Sequence, residues 1–98
     1  MNGFTDLLIC DRRLVILRFL AEDQDHKLNT SILQEALDQV GHGVSRDCVE
    51  TDCAWLAEQG LARTEPVGPV TVVELTGRGE DVAEGRATVP GVKRPRAR

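Results

Sequence analysis

Two helix starts separated by very little chain constrain this fold most. Asn29 is a good N-cap for one helix, and Leu28 and Leu33 stand in the arrangement of a hydrophobic staple across it. Ile32, Leu33, Ala36, Leu37 and Val40 then fall on one helical face, and Gly41 supplies the stop. Ser45 caps the next helix, where Val44 and Val49 repeat the staple, Val49, Cys53 and Leu56 make a narrow inward arc, and Gly60 ends the run. Only about four residues lie between the two helices, so they must cross sharply, as in a helix-turn-helix.

The flanking chain supplies the remaining elements. From Phe4 to Glu22, Leu7, Leu8, Leu14, Val15, Leu17, Phe19 and Leu20 recur at three- and four-residue spacings among polar residues, which reads as an amphipathic helix. Asp11 offers an alternative, as the cap of a separate helix beginning at Arg12. "EDQDHK" is a polar connection. Beyond Gly60, "LARTEPV" and "VTVVEL" are β-rich stretches parted by "GP", a hairpin with a short tip. Thr76 caps a last short helix in "GRGEDVAEGR", and "ATVPGVKRPRAR", with two Pro, one Gly and no periodicity, reads as an extended tail. The order predicts an α+β, mainly α fold: a winged helix-turn-helix with a three-helix bundle, a two-stranded hairpin wing and a short C-terminal helix. The domain spans residues 1–86, and residues 87–98 form a basic tail.

Composition narrows the class. Ninety-eight residues, 41% hydrophobic and 29% charged, suit one globular domain. No apolar run reaches the roughly 18 residues of a membrane span, and "MNGFTDLLICDRR" lacks the features of a secretory leader, so a cytoplasmic location without membrane contact is expected. Cys10, Cys48 and Cys53 match no zinc spacing and read as reduced core residues. Charge is divided along the chain. Residues 86–98 carry five cations and no acid, whereas residues 1–85 carry seven cations against sixteen acids, a net of −9. Such a body repels phosphate, and a basic arm offsets this only within about a Debye length, ~8 to 10 Å.

"VSRDCVETDCAWLAEQGLARTE" followed by "VVELTGRGEDVAEGR" resembles the winged-helix regulators, nearest the ArsR and DeoR types. "DRRLVILRFLAE", "VSRDCVETDCAWLAEQGLA" and "DVAEGRATVPGVKRP" together resemble a narrower group, the small winged-helix proteins of Mu-like transposable bacteriophages and prophages. That resemblance implies fold and origin and covers nearly the whole chain. In DeoR-like readers the segment aligned with Val49 to Cys53 carries two consecutive Arg that serve the DNA; here those positions are Glu50 and Thr51. Arg46 is the one cation on the outward side of this helix, against Asp47, Glu50 and Glu58.

Two functions follow as expectations. In the first, the chain is a homodimeric phage transcriptional regulator that binds double-stranded DNA weakly or through its arm. Ser45, Arg46, Glu50 and Thr51 face the groove, Arg63 and the hairpin around Gly68 approach an adjacent phosphate or the minor groove, and Lys93, Arg94, Arg96 and Arg98 engage phosphates. Phe4, Leu7 and Leu8 extend the apolar face of the first helix beyond what a small core covers and form the dimer contact. In the second, the acidic third helix docks a phage protein during assembly or DNA packaging. Spacing gives no catalytic constellation, so no enzyme, cofactor or metal is expected, and His26 and His42 have no nearby ligand pattern. Asp52 falls inside the apolar arc and requires a partner such as Arg12, Arg13 or His42, since a buried unpaired carboxylate is costly. Trp55, at the arc's margin, is expected to pack on the hairpin or a second subunit.

Overall fold

A computed structural model of the chain describes residues 3–96. The elements are α1 (Gly3–Glu22), β1 (Lys27–Asn29), α2 (Thr30–Gln39), α3 (Arg46–Glu58), β2 (Ala62–Val67), β3 (Val70–Leu75) and α4 (Gly77–Ala83). The fold is α+β and mainly helical, with one three-stranded antiparallel sheet in the order β1-β3-β2 among the described residues.

The local signals act where the side chains place them. Asn29 accepts from the Ile32 N–H at 2.9 Å, Ser45 from the Cys48 N–H at 3.1 Å, and Thr76 from the Gly79 N–H at 3.0 Å, each satisfying an otherwise orphan donor of a helix start. Past Gly41 the chain folds back, and the His42 N–H donates to the Leu37 carbonyl at 2.8 Å, which closes α2 in the Schellman manner. Gln34 of α2 then fixes the turn into α3: its Nε2 donates to the Val44 carbonyl at 3.2 Å and its Oε1 accepts from Arg46 Nε at 2.8 Å.

The first helix runs unbroken as expected, and Asp11, the alternative cap, turns its carboxylate to tertiary partners. Three expectations change. The hairpin is part of a three-stranded sheet, because β1 pairs with β3 in the register Leu28↔Val73. A strand of three residues is too short to show a period. It is set instead by Asp23, whose carboxylate accepts from the N–H of Asp25 and of Lys27, and by His26, which turns the chain at φ 55. On α2, Leu33 and Leu37 are fully buried together with Thr30, while Ile32 and Val40, at 46% and 53% exposed, flank a contact arc narrower than the apolar face. Finally, the chain beyond α4 carries neither helix nor strand as far as it is described, yet Val89 and Val92 enter the core.

That core takes Leu14, Ile16, Leu17 and Leu20 from α1, Leu33 and Leu37 from α2, Val49, Cys53 and Leu56 from α3, and Leu61, Val73, Leu75 and Val82 from the remainder. Each such large aliphatic side chain contributes about 1.5–3 kcal/mol by leaving water, so α1, with four, is the element around which the others pack.

Candidate nucleic-acid interface

On the outer side of α3, the side a helix-turn-helix turns to a groove, half of the polar side chains are already occupied. Ser45 is the N-cap. Arg46 is half-buried and bonded to Gln34 of α2, and Glu50 accepts from the Thr71 hydroxyl of β3 at 2.6 Å. The i, i+4 ion pair that Arg46 and Glu50 could have made with each other gives way to these contacts with other elements. Thr51 is exposed, alongside Asp47, Ala54 and Glu58. Of the four residues expected to face a groove, three are committed to internal contacts, and the open surface of α3 is acidic. Arg63 is exposed on β2, 3.9 Å from Glu74, in a shallow groove where Lys27 and Arg63 are balanced by Glu65 and Glu74.

The inner side of α3 faces α1. Asp52 is 3% exposed; its Oδ2 accepts from Arg12 Nε at 2.5 Å, and its Oδ1 lies 3.6 Å from Arg13 Nε. Two of the expected partners are thus found together. Burial lowers the Arg12 pKa, but the hydrogen bond and charge of Asp52 outweigh it and leave the pKa above the ordinary guanidinium value. The Arg13 guanidinium stacks over the Trp55 ring at 3.8 Å and donates to the Gly91 carbonyl at 3.1 Å. Trp55 thus has neighbours that the sequence does not point to, on α1 and in the C-terminal segment. Gly91 permits this contact, because its φ is +100° and a Cβ there would lie 2.7 Å from two atoms of the Trp55 ring.

Further contacts hold the same segment. The Lys93 N–H donates to the Cys10 carbonyl at 3.2 Å, and Lys93 Nζ lies 3.3 Å from Asp11 Oδ1. The other oxygen of Asp11 is 2.7 Å from Nε2 of the buried His42. His42 thus has an acidic partner that its sequence neighbourhood does not reveal. Burial pushes the Asp11 carboxyl up, and the hydrogen bonds and charges of His42 and Lys93 overcome this and hold it below its ordinary range. Pro95 comes back toward Gly85 at the end of α4. As a result Lys93, Arg94, Pro95 and Arg96 form one wall of an open groove whose other wall is Asp11, Leu14 and Arg18 of α1. Arg98 lies outside the described residues.

Phe4, Leu7 and Leu8 stand at 66%, 51% and 40% exposure on the outward stripe of α1 that continues to Asp11 and Arg18. Cys10, Cys48 and Cys53 are free thiols, and burial, followed by the nearby Asp52 and Glu50 charges, pushes Cys53 up to about 12. No helix among the described residues is long and apolar enough to cross a membrane.

With this geometry in place, kinship can be stated. A protein described as "Uncharacterized protein gp26", from Escherichia phage Mu, is 58% identical over 93 residues, which cover 95% of this chain and 96% of that protein. The chain belongs to the gp26 family of phage Mu. A Haemophilus influenzae protein (strain ATCC 51907 / DSM 11121 / KW20 / Rd), described as "Uncharacterized protein", is 47% identical over 63 residues, 64% of this chain and 61% of that one. No protein-family model matches the chain. Membership of the gp26 family agrees with the Mu-like phage origin that the sequence resemblance implied.

Proposed function

We propose that this gp26-family chain is a winged helix-turn-helix protein that binds double-stranded DNA as a phage transcriptional regulator, in the cytoplasm of the host, by occupying its site without chemistry. The short crossing of α2 and α3, followed by the β2–β3 hairpin and a third strand ahead of α2, supports the winged-helix reading. The observation that carries DNA binding is the distribution of charge: an acidic body holds a basic C-terminal segment in a fixed position, with Arg94 and Arg96 exposed and unneutralised by any described residue. Affinity then comes chiefly from phosphate contacts, and the acidic surface of α3 keeps it weak. The test is equilibrium binding of the intact chain to random-sequence duplex over a salt series. Binding that strengthens steeply toward about 50 mM salt supports the reading, and no binding there refutes it.

The protein acts as a homodimer through Phe4, Leu7 and Leu8, whose exposed surface on one helix suits a second copy. Light scattering that finds only an ~11 kDa species at micromolar concentration refutes this. A second reading, docking of a phage protein in assembly or packaging, is favoured by one feature: Asp47 and Glu58 are exposed on α3 with no free cation between them. Its partner surface is basic.

A further inference from the structure

Among the described residues, the side chains of Arg18, Lys27, Arg94 and Arg96 are the cations that make neither a hydrogen bond nor an ion pair with another described residue. The remaining cations are engaged: Arg12 and Arg13 with Asp52, Arg46 with Gln34, Arg63 with Glu74, Arg78 with the Gln59 carbonyl, Arg86 with Asp81 and Glu84, and Lys93 with Asp11. Three of the four unengaged cations line one groove. Two come from the C-terminal segment, and the third, Arg18, comes from the last two turns of α1. The one acid of that groove, Asp11, is already neutralised by Lys93 and hydrogen-bonded to His42.

We propose that the groove between α1 and the docked C-terminal segment is a cleft for a phosphodiester backbone, and that Arg18 belongs to it. The proposal rests on the DNA-binding reading and changes where the DNA lies. Planar guanidiniums present forked donors that match phosphate oxygens two at a time, and three arginines lining one open channel suit successive phosphates. The channel is preformed. Val89 and Val92 anchor the segment in the core, Arg13 holds the Gly91 carbonyl, and the Lys93 N–H holds the Cys10 carbonyl, so Arg94 and Arg96 start from a chain whose entropy was lost on folding.

The cleft also gives DNA a set of cations that does not depend on α3. Val49, Cys53 and Leu56 are the buried arc of α3, so the exposed Asp47, Thr51, Ala54 and Glu58 occupy the opposite side of that helix, next to the Trp55 edge that meets Arg13 of α1. A duplex seated on the groove between α1 and the C-terminal segment meets the unengaged cations and needs no contact with the acidic side of α3.

The full-length chain and its variants are titrated with a fluorescently labelled random duplex, and anisotropy is read across a salt series, with circular dichroism as a check on folding. Arg18→Ala should flatten the dependence of log affinity on log salt by about 0.9, Arg94→Ala with Arg96→Ala by up to ~1.8, and Arg18→Lys by almost nothing, because it keeps the charge. Arg46→Ala and Thr51→Ala should leave the slope unchanged. If the intact chain binds but the groove variants keep its slope while Arg46→Ala or Thr51→Ala reduces affinity, the cleft is overturned and DNA binding stands with α3 as its surface. If the intact chain does not bind duplex near 50 mM salt, the DNA-binding reading and the cleft fall together.

Discussion

Replacing Asp52 with Asn should unfold a large part of this protein's stability while removing only one charge. The Asp52 and Arg12 side chains are 4% and 11% exposed, so water cannot take over when the carboxylate is lost. Arg12 Nε loses its acceptor, and Arg13 Nε, which is buried without a hydrogen-bond partner, loses the charge 3.6 Å away that offsets its own. Breaking one side of a buried ion pair costs about 3–5 kcal/mol, against the roughly 5–15 kcal/mol that holds a domain of this size together. At ~4–8 °C per kcal/mol, Tm should fall by at least about 12 °C. Urea unfolding followed by circular dichroism gives the free energy directly, and Trp55, stacked beneath Arg13, gives an independent fluorescence transition. The paired replacement Asp52→Leu with Arg12→Met removes both charges of that pair and should recover the Arg12 share of the loss, since an apolar pair of similar volume is often neutral or better, while Arg13 stays without its counter-charge. A loss under about 1 kcal/mol for Asp52→Asn, the value of an exposed pair, would show that water reaches these groups and that the account of the α1–α3 contact is wrong.

Three further outcomes test neighbouring parts of the structure. Gly91→Ala forces a side chain into φ +100° and against Trp55, so it should cost about 1–3 kcal/mol and change the Trp55 emission; wild-type stability and spectrum together would refute the docking of the C-terminal segment. The Asp11 carboxyl titrates below its ordinary value of 3.8 when folded, so its contribution to stability is present above that value and is lost as pH falls through the lowered one. Asp11→Asn should therefore lose less of its own stability than wild type between about pH 6 and pH 3, and an equal loss in the two proteins contradicts the pairing with His42 and Lys93. With its thiol pushed up to about 12 by burial, Cys53 should resist Ellman's reagent at mildly alkaline pH until the chain unfolds, whereas rapid labelling of all three cysteines would contradict its place in the core.

What could be read in the sequence divides along physical lines. Asn29, Ser45 and Thr76 are legible as caps because each acts on an N–H three residues away. Asp52 is legible in kind, since a carboxylate inside an apolar arc demands a cation, and the choice among Arg12, Arg13 and His42 awaits the crossing of α1 and α3. Arg46 and Glu50 mislead because local spacing suggests one another, while Gln34 and Thr71 are brought to them by tertiary packing. β1 is too short to carry a period, and its pairing is decided by β3, more than forty residues onward. The C-terminal segment has the composition of a loose arm, and its anchoring comes from tertiary contacts, among them Gly91 fitting beneath a tryptophan on another element. Arg18 shows no sign in the sequence of belonging with Arg94 and Arg96; only the return of the chain beside α1 brings them to one groove.

The most direct measurement of where DNA meets this protein is a chemical-shift map of the isotope-labelled full-length chain titrated with a short unlabelled duplex at low salt. The account predicts movement of the Arg18, Arg94 and Arg96 side-chain Nε signals and of the Lys93 and Arg96 amides, with Asp47, Thr51, Ala54 and Glu58 unmoved. Shifts concentrated on those four α3 positions, with the groove silent, would contradict it.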